Sequence, residues 1–476
     1  MIDFHCGHSI EVLKGLPENH FHLCVTSPPY WCLRNYHTEP QVWGGDPACE
    51  HEWREDVGPV TTRWKDGTKA KFSDLEKANA ERVREPASHG KVCANCGAWL
   101  GELGLERSPD QYIEHLALVF AEVRRVLRPD GSLWIVIGDS WASGKGTCFN
   151  PGGGINSWHG RAKGGYALPL MRGNVSDLRE SGLKPKDLAG IPWRLAFALQ
   201  AQGWWWRSTN IWHKPNCLPY SGKDRPTCSH EYVLQFTKSA TCYWDVEATR
   251  EPLAADSLAR SRRRKNNGKH RDSTVREIGN IARGVNYGPD GCPEKIANPL
   301  GRQIRSVRTV SNPGTRRKHF AVYPVRLIEP YIMSGTSERG CCQACGAPWK
   351  RIIEWIENPN DPALKGGSYQ QSDHARMHEL SKRKLKALPI ERGNSADPRG
   401  RKIPALKGWE PACKCNASDP VPCRVLDPFA GLGTTGIVCE RFNRDATLID
   451  LNPDFIRAAQ ERLYEEGHPL IVEALP

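Results

Sequence analysis

Two rhythms of apolar and polar residues alternate along the chain. Ile10, Val12 and Leu13 mark a short helix, and Phe21–Val25 is a compact apolar run of strand length. Ser108-Pro109-Asp110-Gln111 reads as a helix start, with Ser108 as cap, proline in the first turn and Gln111 completing a capping box. Ile113, Leu116, Phe120, Val123 and Leu127 follow at helical spacing, and Pro129-Asp130-Gly131 is expected to turn the chain. Leu133–Ile137 is continuously apolar, as a strand buried on both faces must be. A helix is then expected over Trp193–Gln202, with strands over Trp204–Trp212 and His230–Thr237. Near the end of the sequence come a strand Arg424–Asp427, a helix from Thr434, a strand Ala446–Ile449 and a helix from Pro453. Strands alternating with helices imply an α/β fold, a mostly parallel sheet with helices on both faces.

Four stretches break the rhythm. Residues 39–107 are polar and dotted with tryptophan, residues 250–318 are basic, and residues 341–419 are irregular; residues 140–186 are glycine-rich and loop-like. A chain of 476 residues exceeds one ordinary domain, and its 39% hydrophobic content supports a real core. The opening Met1–Cys6 lacks a basic segment followed by an apolar run, and no apolar stretch is long enough to cross a bilayer. A cytoplasmic location without membrane contact is the expectation. The net charge of +12 fits either an anionic partner or a solubilising surface.

Chemistry concentrates at two places. Val425-Leu426-Asp427-Pro428-Phe429-Ala430-Gly431-Leu432-Gly433-Thr434-Thr435 is a strand running into a glycine turn and a helix. Gly431 and Gly433 let the backbone approach a ligand, although an ordinary strand–turn–helix junction has the same outline. The lysine ending of a P-loop is absent. Asp450 ends the next strand, where an acid can accept hydrogen bonds from ribose hydroxyls or cap a helix. Thr26-Ser27-Pro28-Pro29-Tyr30 is a stiff loop with acceptors and a terminal aromatic.

Together the two segments resemble the defining motifs of the S-adenosylmethionine-dependent DNA amino-methyltransferases, which methylate cytosine N4 or adenine N6. The catalytic loop precedes the cofactor loop, the order of the family's beta class. The resemblance implies a Rossmann-like fold and S-adenosylmethionine as cofactor. It places Asp427, Pro428, Phe429, Ala430, Gly431, Gly433, Thr434 and Asp450 around that cofactor, with Phe320 and Pro324 of the segment His319–Val325 packing on its methionine end. Ser27, Pro28, Pro29 and Tyr30 become the catalytic residues. Ser27 and the Pro28 carbonyl would accept from the target amine, Pro29 would stiffen the loop, and Tyr30 would stack on a base flipped out of the duplex. Lys223–Thr227 leading into His230–Leu234 resembles the family's base-pocket segment. At Gly7-His8 the chain departs from a common Gly-Asp, whose acid lies near the cofactor's adenine, and Leu432 stands where many members carry a small polar residue.

Two further signals are read from the residues themselves. Cys93-Ala94-Asn95-Cys96-Gly97 and Cys342-Gln343-Ala344-Cys345-Gly346 are near-copies of a metal knuckle. Cys49 and His51 can complete the first and Cys413 and Cys415 the second, giving two closed structural zinc sites, with Cys341 as a spare. From Arg250 to Lys318 about 17 basic residues face about 6 acidic ones, with Arg262, Arg263, Arg264 and Lys265 as the densest block. Nucleic-acid contact would explain that surplus, and the resemblance, whose target-recognition region falls at this place, implies double-stranded DNA as the partner.

The expected map is a catalytic domain in parts 1–38, 108–249 and 420–476, zinc-binding insertions at 39–107 and 341–419, a recognition region at 250–318 and a cofactor-packing segment at 319–340. The expected activity is site-specific methylation of cytosine N4, since serine at the head of the loop is commoner among N4 enzymes. Adenine N6 is the alternative, and a cognate restriction endonuclease is the partner the resemblance allows. A non-catalytic DNA-binding protein on the same scaffold is a rival from another class, and so is an RNA or protein-amide methyltransferase.

Overall fold

The computed structural model describes residues 1–32, 36, 38–64, 82–142, 148–149, 183–184, 186–220, 223–252, 301–312, 322–357, 402–415 and 419–465. Phe320 and the Arg262–Lys265 block lie outside them. The elements, in chain order, begin with β1 (Ile2–Cys6), α1 (Ser9–Gly15) and β2 (Phe21–Thr26). Four strands follow within residues 39–107: β3 (Gln41–Trp43), β4 (Trp53–Trp64), β5 (Arg82–Cys93) and β6 (Trp99–Gly101). Then come α2 (Pro109–Val126), β7 (Leu127–Ile137), the short pair β8 (Trp141–Ala142) and β9 (Cys148–Phe149), α3 (Ile191–Ala201), β10 (Trp205–His213), β11 (His230–Thr237) and β12 (Val307–Thr309). The remainder is α4 (Val325–Gly335), β13 (Cys341–Cys342), β14 (Trp349–Glu357), β15 (Lys402–Pro411), β16 (Pro420–Val421), β17 (Arg424–Asp427), α5 (Thr434–Arg441), β18 (Asp445–Asp450) and α6 (Pro453–Glu465).

The chain divides into two compact units. The larger comprises Met1–Asp245, Arg305–Pro348 and Cys413–Pro476. Its centre is an eight-stranded sheet in the order β1-β18-β17-β2-β7-β11-β10-β12. The run from β1 to β7 is parallel, while β11 is antiparallel to both β7 and β10. Alternate side chains feed two cores, as a period of two requires. Cys24, Leu133, Ile135, Ile137, Leu234, Leu426 and Ile449 join Leu13 of α1, Leu116 and Phe120 of α2 and Leu195 of α3. On the other face Trp134 stacks on Tyr331 of α4 at 4.2 Å. Helices α5 and α6 close against β18, with Leu448 beneath Gly436 and Ala459 beneath Gly433.

The larger unit also holds the antiparallel sheet β3-β6-β5-β4. The smaller unit, Val246–Ile304 and Trp349–Ala412, contains the antiparallel hairpin of β14 and β15. It also contains a short ladder in which Glu251 and Arg302 exchange backbone hydrogen bonds of 2.9 Å.

Two local expectations change. Pro129-Asp130-Gly131 does not separate α2 from the strand. β7 starts at Leu127 and carries these residues as a bulge, the pairing with β2 jumping from Phe21↔Leu127 to Leu23↔Ser132. Ser108 does cap α2, its hydroxyl accepting from the Gln111 N–H at 3.2 Å, but the Gln111 side chain accepts from Arg107 rather than from Ser108.

Candidate active site

The parallel strands β2 and β17 are neighbours, so the two loops that follow them open at the same edge of the sheet. Between them lies an open cleft. Ser27, Pro28, Pro29 and Tyr30 line it from one side. Phe429, Ala430, Gly431, Thr434 and Asp450 line it from the other.

The proline loop is held by its surroundings. Tyr112 of α2 donates to the Pro29 carbonyl at 2.7 Å, whereas the Pro28 carbonyl accepts no hydrogen bond from the described residues. Tyr30 donates to Glu231 at 2.9 Å, and Lys214 forms an ion pair with the same carboxylate. Burial and the Glu231 charge push the Tyr30 phenol well above its usual range, which keeps it a donor. The ring lies on Gly138, where a Cβ would come within 2.8 Å of Tyr30 Cε2.

The glycine loop is held as firmly. Gly431 has φ +52° and donates to Asp450 Oδ2 at 2.8 Å. Asp450 Oδ1 accepts from the Asn452 N–H at 2.9 Å, while Asn452 itself takes the N–H of Asp454 at the start of α6. The helix-cap reading of Asp450 is therefore taken over by Asn452, and Asp450 is left at the cleft wall. Burial raises its carboxyl to about 6.

Four of the expected cofactor residues do not line the cleft: Asp427, Pro428, Gly433 and Pro324. Gly433 is needed for packing, since a Cβ there would meet Ala459 Cβ at 2.9 Å. Asp427 is fully buried and both of its oxygens are taken. Oδ1 accepts from the Thr26 hydroxyl at 2.6 Å and the Phe429 N–H at 3.1 Å; Oδ2 accepts from Thr435 at 2.6 Å and Tyr323 at 2.9 Å. Asp427 thus ties the residue just before Ser27 to the helix behind the glycine loop. Thr26, Tyr112, Glu231 and Tyr323 were not singled out from sequence. Thr26 and Tyr323 sit inside the motif segments, and only their side-chain directions reveal their part.

Residues from the first insertion complete the cleft. Gln41, Trp43, Glu102 and Leu103 line it beside Thr38, so this insertion is part of the wall. His115 of α2 anchors it, with ring centroids 5.4 Å from Trp43 and 5.1 Å from Trp99 and Nδ1 3.0 Å from buried Glu106. His8 also lines the cleft, its ring edge-on to Trp43 at 4.6 Å. Burial lowers its pKa, which favours the neutral imidazole, and its Nε2 has no partner among the described residues.

The two cysteine knuckles are structural copies. The Gly97 N–H returns to the Cys93 carbonyl at 3.0 Å and the Gly346 N–H to the Cys342 carbonyl at 2.7 Å, both glycines having φ above +70°. Cys49, His51, Cys93 and Cys96 bring their ligand atoms within 4.8 Å of one another, and so do Cys342, Cys345, Cys413 and Cys415. In the first cluster Cys49 Sγ and Cys93 Sγ are 3.8 Å apart, and Cys96 Sγ is 3.5 Å from His51 Nδ1. A tetrahedral ion with bonds of about 2.3 Å to sulfur and about 2.0 Å to nitrogen requires separations of about 3.8 and about 3.5 Å, so this donor set fits zinc. The spare Cys341 groups with His22 and Cys423. Both His22 nitrogens are already engaged there, Nε2 at 2.7 Å from the Gly346 carbonyl and Nδ1 accepting from the Arg424 N–H at 3.1 Å.

Comparison with known proteins decides the family. The model of the DNA methylase family N6_N4_Mtase matches residues 21–342 and 424–461, most of the chain. The chain belongs to this family. It is 26% identical over 470 residues to the type II methyltransferase M.XycI of Xanthomonas campestris pv. cyanopsidis, covering 98% of this chain and 88% of that protein. To M.Cfr9I of Citrobacter freundii it is 27% identical with the same coverage. A putative DNA modification methylase of Thermus thermophilus, solved with S-adenosyl-L-methionine, aligns over 100% of both chains at 17% identity and a TM-score of 0.39.

Proposed function

We propose that this DNA methylase transfers a methyl group from S-adenosylmethionine to the N4 amine of a cytosine flipped out of duplex DNA. The observation that carries the reading is one cleft lined by both the Ser27–Tyr30 loop and the Gly431–Asp450 wall. When bound, the cofactor supplies an electrophilic sulfonium methyl that needs no further activation. Asp450 accepts from ribose hydroxyls, and Phe429, Leu451 and Phe455 give the apolar surface beside it. The Ser27 hydroxyl and the free Pro28 carbonyl accept the amine's hydrogens, which localises the nitrogen lone pair as it attacks. Tyr30 stacks on the base, its ring fixed by Gly138 and Glu231. Because the loop is braced before substrate arrives, these acceptors need little reorganisation.

Cytosine is favoured over adenine by Ser27, since members of the family with serine at this position more often methylate N4. The Cys/His clusters are structural zinc sites that staple the 39–107 and 341–419 insertions, and the basic 250–318 region, with Arg262, Arg263, Arg264 and Lys265, contacts DNA. The type II names of the relatives support a restriction-modification role with a cognate endonuclease. The test is methyl transfer to DNA followed by digestion to nucleosides and mass spectrometry. N4-methylcytosine is the expected product. N6-methyladenine alone would move the acceptor to adenine, and no methylated base would overturn the reading.

A further inference from the structure

Arg225 is held in an unusual way. Its guanidinium carbon lies 3.9 Å from the Trp141 ring centroid and 3.9 Å from that of Tyr220, so two aromatic rings pack against the cation. Cation–π contact with two rings restricts a guanidinium's position and leaves its N–H groups for other partners. Those donors have no carboxylate among the described residues, and Nη1, which is buried, has no hydrogen-bond partner among them. The nearby acids are committed elsewhere. Asp224 pairs with Lys186 at 2.8 Å and accepts from Tyr220 at 3.0 Å, Asp187 pairs with Lys184 at 3.0 Å, and Glu231 pairs with Lys214.

The place of this cation in the fold is informative. Trp141 follows the end of β7, which runs parallel to β2, so the pair of rings stands at the edge of the sheet where Ser27–Tyr30 begins. Six residues after Arg225, Glu231 holds the Tyr30 hydroxyl. A restrained cation with no anion of its own, beside a loop that takes a flipped base, calls for an acceptor with charge and paired oxygens. We propose that Arg225 is a binding site for a backbone phosphate of the DNA, held in position by Trp141 and Tyr220. This rests on the DNA-methylating function proposed above. A phosphate held here positions the duplex without reading its sequence.

The experiment measures DNA affinity against salt for the full-length protein and its Arg225→Gln and Arg225→Lys variants. Duplexes that contain or lack the methylated site are compared. One phosphate contact contributes about 0.9 to the slope of log affinity against log salt. Arg225→Gln is expected to lower that slope by about this amount and to weaken both duplexes equally, with unchanged S-adenosylmethionine affinity. Arg225→Lys is expected to keep the slope, since it keeps the charge. An unchanged slope in a folded Arg225→Gln protein would overturn the proposal and make the stacked arginine a packing device. Weakening confined to the duplex with the site would also overturn it, because a phosphate contact does not discriminate. If the unaltered protein binds neither duplex, the proposed function fails, a result separable from failure at Arg225 alone.

Discussion

Replacing Asp427 separates its two roles, as a hydrogen-bond hub and as a buried charge. In Asp427→Ala four donors lose their acceptor. Two recover, because the Tyr323 and Thr435 hydroxyls lie 2.7 Å apart and Thr435 also reaches the Val25 carbonyl at 3.4 Å. The Thr26 hydroxyl and the Phe429 N–H are stranded, and at about 1–3 kcal/mol for each buried unsatisfied group the loss is about 2–6 kcal/mol. Asp427→Asn keeps an oxygen for Thr26 and Phe429, and its amide can donate to the hydroxyls opposite, so about 1 kcal/mol or less is expected. The charge itself has the opposite sign. Burial raises the folded-state pKa of Asp427, so its contribution to stability is complete below the unfolded-state value of about 3.9 and declines as pH rises through the folded-state value. Asparagine, which mimics the protonated acid, should flatten that decline. Urea unfolding of the three proteins across pH measures both effects. An alanine variant within about 0.5 kcal/mol of the parent, or an asparagine variant as unstable as alanine, would refute the hub.

Ser27→Ala and Tyr30→Ala should slow turnover sharply with cofactor affinity nearly unchanged, whereas Gly431→Val should weaken cofactor binding; calorimetry beside single-turnover rates separates the two loops. Metal analysis should find two zinc ions per chain, with about one lost in each of Cys96→Ser and Cys345→Ser. The Cys96 variant should also weaken cofactor binding, because its insertion lines the cleft. Ligand hydroxyls that donate to Asp450 favour its ionised form, so cofactor affinity should fall as pH drops through about 6, by about ten-fold for each unit below that value. A pH-independent dissociation constant between pH 5 and 8 would remove Asp450 from the ribose site. Neutralising Arg262, Arg263 and Arg264 together should flatten the salt dependence of DNA binding.

Much of the sheet is visible in the sequence because its strands are buried on both faces. Leu133–Ile137 is an uninterrupted apolar run, Val425 and Leu426 are the apolar centre of Arg424–Asp427, and His230–Thr237 matches β11 end to end. Strand direction is not visible. Nothing in His230–Thr237 says that it opposes β7, because direction is set by the connections before it. The bulge at Pro129–Gly131 reads locally as a turn, and only pairing with Phe21–Leu23 shows the strand continuing through it. The site follows the same division. Motif residues were legible by type and spacing, but Asp427 faces inward while Asp450 faces the cleft. That difference depends on where Thr26, Tyr323 and Thr435 lie, the first 401 and the second 104 residues away and the third across the glycine loop.

The pairing of β1 with β18 and of β2 with β17 has a consequence for the chain during its synthesis. About 400 residues separate the partners. At about 5–20 residues per second, β2 waits roughly 20–80 s for the strand that completes the site beside it. During that interval the nascent chain holds the proline loop without the glycine loop, and the cleft that both line is not yet formed. Cys49, His51, Cys93 and Cys96 are all made early, so the first insertion can bring them together long before the central sheet is complete. The glycine loop, made about 400 residues after the proline loop, is therefore the part that completes the cleft.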